Sequence, residues 1–187
     1  MRMLRDFKAL SFQSCTNVSF LHNVSTYHKS PQLSHSVTCC NLQKKNSGSL
    51  LKCYDDKRNL YKVPYKIVWN SEFTDRLKKA YKDEKKATEN AAVFLSLSLM
   101  LELTDYKYFE VTEGNNGIDY WLSNESDDLD FSARLEISGI RQEKQSNNIN
   151  TRLNTKINQT KRSDSSTLPA YVAIIEFSKL EAIILER

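Results

Sequence analysis

The chain has 187 residues, room for one ordinary domain plus an extension, with 40% hydrophobic and 27% charged side chains and a net charge of +4. The basic surplus is local: nine basic and three acidic residues fall in 1–60, so residues 61–187 carry −2 and lack the charge signature of a nucleic-acid-binding domain. All three histidines (His22, His28, His35) and all four cysteines (Cys15, Cys39, Cys40, Cys53) also lie in 1–60. Residues 61–187 therefore hold no Cys or His nucleophile, no His general base and no Cys/His zinc site.

Residues 1–60 are rich in Ser, Asn, Thr, Cys and His and show no sustained periodicity, which reads as a poorly ordered N-terminal extension before an α/β domain at 61–187. The basic opening, Met1 to Lys8, followed by a Ser-rich and nearly acid-free stretch, mimics a transit peptide; a disordered tail or an upstream start accounts for it equally well. The extension has no C-x₂₋₄-C pair to accompany the H-x₅-H spacing of His22 and His28, so it does not read as a zinc module. No apolar run is long enough to span a membrane, and the expectation is a soluble, cytoplasmic protein.

In the domain, Asn70-Ser71 offers an N-cap and Glu72 an acid in the first turn. Phe73, Leu77, Ala80, Tyr81, Ala87, Ala91, Phe94, Leu95 and Leu99 recur at helical spacing, which predicts a long amphipathic helix with a break near Asp83. The lysines at 78, 79, 82, 85 and 86 alternate with Asp83 and Glu84, the pattern of a solvated face. Tyr106–Val111 reads as a strand, 113–117 as a turn tolerant of positive φ, Ile118–Leu122 as a second strand, 123–130 as an acidic loop and Phe131–Ser138 as a third strand. Such short connections favour a meander.

Residues 144–163 contain no acid but carry Lys144, Arg152, Lys156, Lys161 and Arg162, with Ile149, Leu153 and Ile157 as a helical apolar seam. A polar loop leads to Tyr171–Phe177, apolar on both faces and so a central strand, and 180–185 form a last strand or short helix. The order helix, three strands, helix, strand implies an α/β fold: an α-β-β-β-α-β sandwich around a small mixed sheet.

Two runs carry the chemical signal. Gly117-Ile118-Asp119-Tyr120-Trp121-Leu122 and Ala133-Arg134-Leu135-Glu136-Ile137-Ser138-Gly139 each set one carboxylate among strand formers. An acid there is disfavoured by propensity and costly to bury, so a cation, a basic partner or exposure must compensate. Two such acids on successive strands suit a hard divalent cation such as Mg²⁺ or Mn²⁺.

The element order, with acids on the second and third strands, resembles the restriction-endonuclease-like (PD-(D/E)XK) phosphodiesterases over about residues 65–187. The chain is also similar to a family of small bacterial proteins, marked here by GIDYWL, ARLEISGI and PAYVAIIEFS. The resemblance implies Asp119, Glu136 and Glu89 as metal ligands, and Asp119, Glu136 and Lys156 as the catalytic set. The lysine expected two residues after the Glu is Ser138 here, and Lys156 stands for it from the following helix, with Arg152 and Gln159 on the same broad face.

The implied function is a Mg²⁺- or Mn²⁺-dependent endonuclease that holds DNA or RNA through Lys144, Arg152, Lys156, Lys161 and Arg162. The competing reading, favoured by Ser138, is an inactive nuclease-fold module that binds nucleic acid, a protein partner or a second copy of itself. Glu176, in the most apolar strand, either joins the carboxylates or forms a salt bridge with Arg152 or Lys156. Tyr120 and Trp121 either stack on a base or pack within the sheet.

Overall fold

The helical periodicity that starts in the seventies resolves into two helices, α1 (Asp75–Ala80) and α2 (Glu84–Leu103), and the break falls at Asp83. α1 stops at Ala80, and Asp83 starts α2: its carboxylate caps the helix, accepting from the Lys86 backbone N–H at 3.0 Å, with Glu84 in the first turn. The fold is that of a computed structural model, which describes residues 9–11, 49–55, 57, 59–60, 65–68, 74–114, 116–124 and 131–187. The cap expected at Asn70-Ser71 and most of the acidic loop lie outside the described residues.

Among the described residues eight strands form one sheet: β1 (Ala9–Ser11), β2 (Ser49–Tyr54), β3 (Tyr65–Val68), β4 (Tyr108–Val111), β5 (Tyr120–Ser123), β6 (Ala133–Ile140), β7 (Ala170–Glu176) and β8 (Glu181–Glu186). Their order across the sheet is β1-β3-β2-β8-β7-β6-β5-β4. Strands β4, β5 and β6 make the antiparallel meander that their short connections favour. β6 and β7 then run parallel, and helix α3 (Ile149–Thr160) is the crossover between them. A 3₁₀ helix at Lys161–Ser166 replaces the expected loop.

Alternation along the two central strands assigns each helix its face. Leu135 and Ile137 of β6 and Tyr171, Ala173 and Ile175 of β7 share a core with Ala91, Ala92, Leu95 and Leu99 of α2. Ile140, Val172 and Ile174 pack against Ile149 and Leu153 of α3. The sheet is thus covered by α2 on one side and α3 on the other, and β7, apolar on both faces, is buried along its whole length. Close approach of α2 depends on Gly139, where a Cβ would stand 2.7 Å from the Thr88 carbonyl oxygen and 3.0 Å from the Ala92 Cβ.

The boundary expected at residue 60 moves. Strand β2 belongs to the sheet, pairing parallel with β8, and buries Leu51 and Cys53 completely. The period-2 pattern of Ser49–Tyr54, with Leu51 and Cys53 inward and Leu50 and Lys52 outward, is that of a half-buried strand. Residues 180–185 fall mostly in strand β8 rather than a helix. Among the described residues no helix is long and apolar enough to cross a membrane.

Candidate functional site

The face of β6 that meets α3 carries Arg134, Glu136 and Ser138, because the intervening residues point at α2. Glu136 is fully buried. Lys156, reaching down from α3, forms an ion pair with its Oε1 and also donates to Gln159 Oε1 at 3.3 Å. The other carboxylate oxygen, Glu136 Oε2, is buried and accepts no hydrogen bond from the described residues.

Asp119 reaches the same place from the residue just before β5. Its backbone N–H donates to the Leu135 carbonyl at 2.9 Å, and its Oδ2 accepts from the Ile137 N–H at 2.8 Å. These two bonds straddle Glu136 and clamp the Asp119 carboxylate beside it. The approach is set by Gly117, which has φ +85° and sits so close to the end of α3 that a Cβ would stand 2.2 Å from the Gln159 carbonyl oxygen. The glycine of GIDYWL is therefore needed for both conformation and contact.

The electrostatics follow from this geometry. Burial pushes the Glu136 carboxyl up to about 7 from its ordinary 4.5; Lys156 opposes the rise, and the Asp119 charge adds to it. One ammonium does not neutralise two adjacent carboxylates, so the cluster has an unmet demand for a proton or a cation.

Arg152 lies one turn before Lys156. Its Nε and Nη2 donate to Asn147 Oδ1 at 3.2 and 2.7 Å, and its Nη1 stands 3.5 Å from Ser138 Oγ. Asp119, Glu136 and Lys156 are thus brought together, with Ser138, Arg152 and Gln159 beside them. Asn147, which belongs to no motif in the sequence, anchors Arg152; its only local signal is its place just before the Asn148 cap of α3.

Glu89 is not part of this cluster, which corrects its expected role as a metal ligand. The register of α2 turns Thr88, Ala91 and Ala92 inward, leaving the Glu89 side chain 58% exposed and 3.9 Å from Lys85 on the helix that covers the opposite face. Glu176 is fully buried but neither joins the carboxylates nor pairs with Arg152 or Lys156. It closes the β7–β8 turn, accepting from the backbone N–H groups of Glu143, Ser178 and Lys179 and from the Ser178 hydroxyl.

The basic segment also divides. Lys156 points inward to Glu136, Arg152 is half-buried, and Lys144, Lys161 and Arg162 are exposed. Tyr120 packs against the core on the α2 side, and Trp121 stacks on Phe131 with ring centroids 5.0 Å apart. Nothing in its sequence context singles out Arg134. Buried, it donates to the Leu168 carbonyl, Ser163 Oγ and Asp164 Oδ1, tying the 3₁₀ segment to β6.

Among the described residues no group of three or more His, Cys, Asp or Glu side chains could hold a metal ion. Asp119 and Glu136 could supply two carboxylates, and the orphaned, buried Glu136 Oε2 beside a second acid fits a hard cation. Comparison of the chain with protein-family models, curated proteins and solved structures finds no match.

Proposed function

We propose that the chain is a cytoplasmic, metal-dependent nuclease-like protein that hydrolyses nucleic-acid phosphodiesters, with Mg²⁺ or Mn²⁺ held by Asp119 and Glu136. The observation that carries this reading is the buried Glu136 carboxylate, one oxygen on Lys156 and the other bare, next to the clamped carboxylate of Asp119. The order α2-β4-β5-β6-α3-β7, an antiparallel meander followed by a parallel crossover, supports it, because it resembles the restriction-endonuclease-like core with an acid at each of two successive strands.

A divalent cation at these carboxylates would neutralise phosphoryl oxygens and lower the pKa of water. The chain's own residues do the rest. Asp119 is held in place by the Ile137 N–H and needs no reorganisation to present its oxygens. Lys156 serves in place of the absent E-x-K lysine: steadied by Gln159, its ammonium can stabilise charge developing on a phosphoryl oxygen or orient the attacking water. Burial of Glu136 keeps these charges in a medium where they act more strongly than in water.

The test is Mn²⁺ titration of the full chain by calorimetry, beside Asp119→Asn and Glu136→Gln, followed by incubation of DNA and RNA with Mg²⁺ or Mn²⁺. Saturable binding lost in both variants, with metal-dependent cleavage lost alongside it, is the expected result. A folded wild type that binds no metal and cuts neither nucleic acid would sink the reading.

One observation favours a second reading, a nuclease-fold module that binds without cutting. Among the described residues only two carboxylates gather, and Ser138 occupies the position of the usual lysine. Salt-sensitive binding of nucleic acid without cleavage would select it.

A further inference from the structure

Among the described residues no carboxylate pairs with the Arg152 guanidinium, although it is half-buried between α3 and β6. Its Nε and Nη2 rest on the amide oxygen of Asn147, and its Nη1 only just reaches the Ser138 hydroxyl at 3.5 Å. A neutral amide orients a guanidinium but does not neutralise it, and N–H donors remain on both terminal nitrogens. Holding such a charge away from bulk water is costly unless an anion completes the site.

The support beneath it is well built. Asn147 belongs to a tight loop closed by reciprocal backbone bonds with Lys144, at 3.1 and 3.0 Å, and Asn148 follows as the cap of α3. Helical spacing then sets Arg152 and Lys156 on one face, one turn apart. Beneath them, Ser138 and Glu136 share one face of β6, two residues apart. The guanidinium with the serine hydroxyl therefore adjoins the ammonium with its carboxylates.

We propose that Arg152 and Ser138 form a phosphate subsite beside the carboxylate cluster, binding the non-bridging oxygens of the nucleic-acid backbone, with Asn147 as the positioning residue. Its role in a reaction rests on the phosphodiesterase reading, whereas its affinity for phosphate does not. The planar fork of arginine matches two phosphate oxygens at once, and the hydroxyl adds a third donor. The subsite also explains why the cluster can be approached by an anion at all. Two carboxylates repel a phosphate, and Arg152 offsets that repulsion from the adjoining position.

The test uses the full chain without divalent metal, titrated with inorganic phosphate at constant ionic strength, following the Arg152 Nε–Hε and Ser138 amide resonances. Saturable shifts of both are expected. Arg152→Lys should weaken phosphate binding about tenfold and Arg152→Gln should abolish it. Asn147→Ala, which keeps the guanidinium but removes its anchor, should weaken binding severalfold.

A wild type with no shift at Arg152, or an Arg152→Gln chain that binds phosphate as tightly as wild type, overturns the subsite. A parallel Mn²⁺ titration by calorimetry separates the two ideas. Mn²⁺ binding without a phosphate response removes the subsite alone. A phosphate response without Mn²⁺ binding upholds the subsite and removes the metal-dependent reading.

Discussion

Gly117 and Gln159 are in contact through the one position on Gly117 that carries no side chain: a Cβ there would lie 2.2 Å from the Gln159 carbonyl oxygen and 3.2 Å from the Arg162 Cβ. The β4–β5 connection is thereby pressed onto the last turn of α3. Asp119 stands two residues beyond the contact and Gln159 three beyond Lys156, so this one approach brings the meander's acid and the helix's lysine to the same carboxylate.

Gly117→Ala should therefore do more than strain a turn. The left-handed backbone alone costs about 1–2 kcal/mol for a residue with a Cβ, and displacement from α3 adds to that. Gly114 is the control: its φ is +82°, but a methyl group there would meet nothing within 4 Å, so Gly114→Ala should show only the same backbone cost of about 1–2 kcal/mol. Urea unfolding measures both. Faster exchange of the Ile137 amide in the Gly117 variant alone would report release of the Asp119 carboxylate.

The second prediction concerns pH. The folded chain raises the Glu136 carboxyl from 4.5 to about 7, so between these values the folded state holds a proton that the unfolded state has released. The unfolded state binds fewer protons there, and stability must fall as pH rises. The contribution is fully present below about 4.5 and is lost as pH passes 7; it amounts to at most about 3 kcal/mol. Urea midpoints from pH 4.5 to 8 should decline in the wild type and flatten in Glu136→Gln. Equal slopes in the two proteins would contradict it.

Lys156→Met should be strongly pH-dependent in its effect. Above pH 7 it strands a buried carboxylate, a loss of about 3–5 kcal/mol, whereas near pH 5 the carboxyl is protonated and the loss is smaller. Adding Glu136→Gln to the same chain should restore much of the stability at pH 8. Chemical denaturation of the four proteins at two pH values closes the cycle.

Strand β2 supplies a test of where the folded unit begins. Leu51 is fully buried and Leu50 is 40% exposed. Leu51→Ala should cost about 2–5 kcal/mol and Leu50→Ala under about 0.5 kcal/mol. Equal, small effects would mean that residues 49–54 contribute nothing to the sheet.

The parts of the fold that sequence resolves are those with local causes. The α2 periodicity, the break near Asp83, the apolar seam of Ile149, Leu153 and Ile157 and the two-sided burial of β7 are each written within a few residues. Helical spacing likewise groups Lys156 with Arg152 and Gln159. What is not legible there depends on distant chain. β2 is a short strand in a polar neighbourhood, recognisable as part of the core only once β8 lies beside it. The outward turn of Glu89 follows from the tight seat of Thr88 and Ala92 on Gly139, a contact between elements. Glu176 finds its donors in a turn and in Glu143, not in the helix that precedes its strand.

The parallel pairing of β2 with β8 has a consequence for how the chain is made. Cys53 is hydrogen-bond neighbour to the strand that holds Ala182, so a ribosome releases nearly all of the described chain before the two can meet. Until then neither β2 nor β7 has β8 beside it, and the edge of the sheet is open to pairing with other chains. Completion of the sheet closes that edge, and α3, whose Ile149 and Leu153 share a core with Val172 and Ile174 of β7 and Ile183 of β8, gains its full seat over the carboxylates only then.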